Sequence, residues 1–266
     1  MNLPLFKATA KTNWAIFIIF LAILLMYMSI MISMFDPEDV DAIAELYETL
    51  PQGMLDAFGF DAPVTDMVSF IALYFYGFLV LMFPMIYCII LANRLVAAQV
   101  DRGSMAYLLA TPNSRAKIVT TQAAYLVLSV ILLLGLTAAA GVAVAEAMFP
   151  GEMDIAAFLS LNLVTILMTI AVSSICFFFS CFFSEVKHSI ALGGGVPIFF
   201  FVINMLKNIG ENHEWLKYLS IYSLFDPHEI VTGDEPVTMV CLIFAGIALV
   251  LYSAGIAIFS RRNLYL

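Results

Sequence analysis

Apolar residues run along this chain in six long blocks, over about 14–35, 68–93, 118–147, 155–182, 189–206 and 237–260. Each block reaches or approaches the roughly 20 residues a helix needs to cross hydrocarbon. The apolar positions are continuous, whereas barrel strands alternate in polarity, so the blocks read as spanning helices. The fold class expected is an all-α polytopic membrane protein of six transmembrane helices. It forms one membrane domain over 1–266, with segments 36–67 and 207–236 on one side and the loop 94–117 on the other.

Composition agrees with this pattern. The chain is 63% hydrophobic and 12% charged, with a mean hydropathy of +1.02. Lipid is therefore the solvent for most of its surface. The first block is too long for a signal peptide's apolar core, and Met34-Phe35-Asp36-Pro37 offers no small-residue cleavage site, so it is expected to stay as an anchor. All four cysteines fall inside spans and form no CxxC pattern, which argues against disulfides and metal binding.

Charge gives the orientation. Lys7, Lys11, Arg94, Arg102, Arg115, Lys117, Lys187, Arg261 and Arg262 are nine of the eleven basic residues and share one side. By the positive-inside rule that side, with both termini, is cytoplasmic. The net charge of −9 then lies outside, where 36–66 alone holds nine carboxylates and no base. This reads as a solvated segment or as an acidic mouth acting on cations. Val40, Ile43, Ala44, Tyr47 and Leu50 keep helical spacing within it.

The loop 94–117 breaks the plan. Asp101-Arg102-Gly103 should end the second helix, and Ser104 can cap a new one. Met105, Leu108 and Leu109 follow at i, i+3 and i+4 as an apolar ridge, read as aimed away from the bundle. Pro112 then stops the short helix, and Ser114 can cap the third span. Such a ridge suits a helix lying on lipid as well as one seated in a partner.

Gln99-x-x-Arg102-Gly103-Ser104-x-x-x-Leu108-Leu109-x-x-Pro112-x-Ser114-Arg115 resembles the cytoplasmic loop of the ABC type-2 exporter permeases. Weaker resemblances are Ser184-Glu185-Val186-Lys187 before a glycine-rich fifth span, 219–227 before the last span, and the ending Phe259-Ser260-Arg261-Arg262-Asn263-Leu264. Gln99 stands where the family commonly has an acid, and Leu224 replaces a proline of the family's segment. The resemblance implies that 104–111 is a coupling helix docking an ATP-binding subunit through Arg102, Gly103, Ser104, Met105, Leu108, Leu109, Pro112 and Arg115. It implies two copies of that subunit, a second permease chain in a homodimer, and export across the cell membrane of a bacterium or archaeon. Short outer helices before the last span would cap the pathway.

No G-x-x-x-x-G-K-[ST] loop occurs, so ATP and Mg are expected on the partner, with no cofactor here and no catalysis by this chain. The spans carry almost no ionisable residues, which argues against ion-driven transport; Glu146 sits near an outer end. No G-x-S-G serine is present, and Glu211, His213, Glu214, His228 and Glu229 read as a solvated loop rather than a metal site.

In the resembled family the second and fifth spans line the pathway. Here they carry Phe70, Tyr74, Phe78 and Pro84, and Gly193, Gly194, Gly195, Pro197, Phe200 and Asn204. Pro84 is expected to kink its span, and the glycines to allow close approach across the dimer. This lining suits an apolar or amphipathic substrate such as a drug, peptide or lipid. Asn162, Thr165 and Thr169 are expected to make interhelical hydrogen bonds. Leu3, Leu5 and Phe6 with Lys7, Lys11 and Trp14 suggest an interfacial helix before the first span. The partners expected are lipid and protein, with no nucleic acid. The rival reading is an accessory or sensor protein whose loop docks a partner that is not an ATPase.

Overall fold

The computed structural model describes residues 2–35, 64, 66–110, 113–207, 215–216, 218–233 and 236–262. All regular structure among them is helical. Helix α1 is Leu3–Met34; α2 runs as Met67–Ile71, Ala72–Leu79 and Val80–Leu95; α3 is Ala97–Asp101 and α4 is Met105–Leu109. Then come α5 (Arg115–Met148), α6 (Ile155–Phe182), α7 (Val186–Lys207), a 3₁₀ turn at Ile221–Leu224, α8 (Pro227–Thr232) and α9 (Val237–Arg261). Six of these, α1, α2 with α3, α5, α6, α7 and α9, are long and apolar enough to cross a membrane, as the six blocks require. The acidic segment and its helical spacing over 40–50 lie outside the described residues, as does Pro112.

Local chemistry sets the helix ends. The carboxylate of Asp66 accepts from the Ser69 N–H, Ser114 Oγ from Lys117 N–H, and Asp154 from Ala156 and Ala157 N–H. Each satisfies amides that have no helical partner. The interfacial helix expected at the N-terminus is the first part of α1 itself, which is continuous from Leu3.

Helix α6 is the hub, packed against α2, α5, α7 and α9, while α1 leans on α5 and α2. Its inward face buries Phe158, Leu161, Val164, Met168 and Phe177. The outward faces are equally apolar: Leu159, Leu163, Leu242, Leu249 and Val250 are exposed, as lipid contact demands. Hydroxyls inside the bundle mostly return to their own helix. Thr165 donates to Leu161 O at 2.7 Å and Thr169 to Thr165 O at 2.8 Å, so neither bridges helices as expected. Asn162 does bridge: its Oδ1 accepts from the Tyr76 hydroxyl at 2.7 Å.

The second span changes winding at Ala72–Leu79, a π-helix whose N–H groups reach back five residues. Pro84 sits within regular helix, and the irregular turns precede it. Tyr76, inside the π segment, is fully buried and meets Phe158 edge-on at 6.2 Å.

Candidate functional site

Helical hydrogen bonding in the second span stops at Val96, whose φ of −129° and ψ of −70° lie outside the helical region. Ser180 of α6 fills the gap. Its hydroxyl donates to Ala92 O at 2.8 Å and accepts from Ala97 N–H at 3.0 Å. A single buried side chain thus satisfies the donor and the acceptor that the break exposes. Below it α3 ends, and Gly103 takes a φ of +70°, a turn that a Cβ would strain.

Ser104 does not cap α4 as expected; its hydroxyl donates back to Gln99 O at 3.1 Å. The apolar ridge also turns the other way. Met105 is 1% exposed and Leu108 and Leu109 are half-buried against the same core, so the ridge anchors α4 to the bundle instead of projecting from it. The face left outward carries Tyr107, 82% exposed. The turn at Gly103, with its positive φ, separates α3 from this short helix.

Four further hydrogen bonds lock this end. Asp101 accepts from Val186 N–H at 3.3 Å and so ties α3 to the start of α7. Arg115, half-buried at the start of α5, donates to Arg262 O at 2.6 Å. Arg262 in turn donates to Cys181 O at 3.1 Å and to the Ser184 hydroxyl. On the adjacent surface Glu185 pairs with Lys187 at 2.8 Å, and this partner holds the carboxyl below its usual range. The ends of four spans are joined around α3 and α4. Arg102 lies exposed beside them.

At the opposite end the residues read as a pathway are divided. Phe70 stacks edge-on with Tyr74 at 4.9 Å and lies 5.8 Å from Phe35, which also meets Phe149. Phe70 and Tyr74 are thus buried core near the ends of α1 and α5. Phe78 reaches the fifth span, but through Phe201 at 5.7 Å, and Phe201 meets Tyr222 edge-on at 6.2 Å. Phe200 is half-buried and its carbonyl accepts from Ser220 Oγ at 2.7 Å. The 3₁₀ turn carrying Tyr222 therefore dips into the bundle. Asn204 Oδ1 in α7 and Tyr222 Oη and Ser223 Oγ in the turn are buried with no hydrogen-bond partner among the described residues.

The glycines are also used within the chain. A Cβ on Gly194 would come 3.1 Å from Ile89 of α2, and one on Gly193 would come 3.3 Å from the Cys176 carbonyl of α6. Close approach across a dimer is therefore not what Gly194 serves here; among the three, Gly195 faces open space. Pro197 is buried in α7.

A family model described as ABC-2 family transporter protein matches residues 6–264. No curated protein matches the chain, and no solved structure does.

Proposed function

Since that match covers nearly its whole length, the chain belongs to the ABC-2 family of transporter proteins, a multi-pass membrane subunit, and on that premise we propose that it is the permease of an ATP-driven exporter worked through α4. ATP and Mg would bind a separate ATPase, two copies serving two copies of this chain in the cell membrane of a bacterium or archaeon. The basic end of the bundle, with both termini, would face the cytoplasm.

The observation that carries this reading is the pairing of an exposed Tyr107 with a ridge fixed to the core. An aromatic presented on a rigid, short helix is a good anchor for a partner's pocket. Because Met105, Leu108 and Leu109 are held by the bundle, a push on Tyr107 would move the ends of α2 and α5 as one piece. Ser180 would carry the same push into α6. Phe78, Phe201, Tyr222 and Asn204, apolar walls with lone polar atoms, suit an amphipathic substrate.

The test is identification of a phosphate-loop ATPase that co-purifies with the wild-type chain, repeated with the variants. Tyr107→Glu should abolish co-purification, since it charges a contact that should become apolar, while membrane insertion stays intact. Leu108→Glu is the contrasting variant and should damage folding of the chain itself. Wild-type association and transport by Tyr107→Glu would remove the coupling role from α4.

A further inference from the structure

Between the first third of α1 and the α2–α4 segment lies an open cavity of about 420 Å³. Its wall is largely apolar but carries a cluster of charged and polar side chains. Arg94 and Arg102 line it, both exposed, and neither has an ion pair or hydrogen-bonded side-chain partner among the described residues. Asn13 lines it too and is only 6% exposed. The Asn13 amide donates to Thr9 O at 2.9 Å, but its Oδ1 has no partner; nor has Gln99 Oε1 on the facing wall. A buried carbonyl oxygen left unpaired costs about 1–3 kcal/mol, a cost that a donor in the cavity would relieve once the Asn13 and Gln99 side chains turn toward it.

The depth of the cavity follows from α1. Its 32 residues run about 48 Å at ~1.5 Å each, against hydrocarbon roughly 30 Å thick. The polar start, with Lys7, Lys11, Thr12 and Asn13 followed by an exposed Trp14, therefore falls at headgroup level.

We propose that this cavity binds a membrane phospholipid headgroup whose phosphodiester sits on Arg94 and Arg102 and whose terminal ammonium or hydroxyl donates to Asn13 Oδ1 and Gln99 Oε1. The two guanidiniums supply planar donors matched to phosphate oxygens. The acceptors decide the rest of the ligand. A carboxylate from a protein partner would pair with the arginines and leave Asn13 Oδ1 empty. A choline headgroup, with no N–H, would do the same. Ethanolamine and glycerol headgroups satisfy both walls. A bound lipid here would also cement α1 to α3 and α4, whose residues face each other across the cavity.

The test uses the full-length chain in detergent, titrated with phosphatidylethanolamine, phosphatidylglycerol or phosphatidylcholine in mixed micelles, with retained lipid read by native mass spectrometry and by thermal shift. The wild type should retain ethanolamine or glycerol lipid over choline lipid by about tenfold, the discrimination one hydrogen bond supplies. Arg94→Gln with Arg102→Gln should lose retention of all three. Asn13→Leu should level the preference while keeping phosphate-driven binding; Gln99→Leu, on the less buried wall, is the second variant should Asn13→Leu not fold. Glycerophosphoethanolamine and inorganic phosphate form the soluble arm and should shift melting far less than the intact lipid. Equal retention of choline lipid, wild-type retention by the double arginine variant, or an equal shift from the soluble compounds would each overturn the assignment.

Discussion

The Ser180 hydroxyl stands 3.0 Å from the Ala97 amide, in the place where the second span's own carbonyl ladder is interrupted. The same oxygen donates to Ala92 O, so a side chain of the fourth span completes the backbone of the second. Whatever moves α3 and α4 must move against α6 as well.

Ser180→Ala removes both bonds and leaves a buried N–H and a buried carbonyl without partners. Stability should fall by about 1–3 kcal/mol, read as a lower melting temperature in detergent. Transport per ATP hydrolysed should fall further than assembly with the ATPase. An unchanged melting temperature would show that the break is satisfied in another way.

Tyr76 and Asn162 form a second buried polar link between these two spans. Tyr76→Phe and Asn162→Ala should each destabilise, and the double variant should recover a coupling of about 1 kcal/mol, the scale of hydrogen bonds between membrane helices. Strict additivity in the cycle would mean the pair contributes through packing alone.

The glycines of α7 should tolerate alanine in a fixed order. Gly195→Ala adds a methyl to open space and should be silent. Gly194→Ala meets the Cγ2 of Ile89 at 3.1 Å and asks that side chain to yield a few tenths of an ångström. Gly193→Ala meets a backbone carbonyl of Cys176, which yields least, and should be the most damaging. Melting temperatures of the three variants check the order; it fails if Gly195→Ala is the worst.

Topology is checked by single cysteines at Arg102, Lys187, Arg262 and Trp215, in a chain lacking Cys88, Cys176, Cys181 and Cys241. An impermeant thiol reagent outside intact cells should label only position 215. Labelling of 102 from outside would invert the orientation.

The spans were legible because lipid imposes one simple rule on twenty consecutive residues, and α6 or α9 need no other information. The turn at Gly103 and the cap at Ser114 were legible for a similar reason: backbone angles and unpaired amides are local matters. The direction of the ridge was not. Met105, Leu108 and Leu109 share a face at any orientation, and which way that face looks depends on the angle of one turn and on what lies beneath it. Ser180 left a faint signal, as the one polar residue in Phe177-Phe178-Phe179-Ser180, but nothing in the run names the distant backbone it serves. Gly194 was similarly ambiguous, since a small residue looks the same whether the close neighbour is another copy or Ile89.

The π-wound stretch Ala72–Leu79 means that the second span is not a rigid rod. It stores torsional slack. Rewinding it as α-helix by one residue would turn everything below about its axis by about 100°, the step between neighbours in an α-helix. That rotation would travel through Val80–Leu95 and arrive at Val96, where the backbone ladder is cut and only Ser180 spans the gap. The upper half is held by Tyr76 on Asn162 and the lower half by Ser180, two grips on the same helix, α6. The span between them behaves as a shaft clamped at both ends, and α6 is the frame that sets how far it twists.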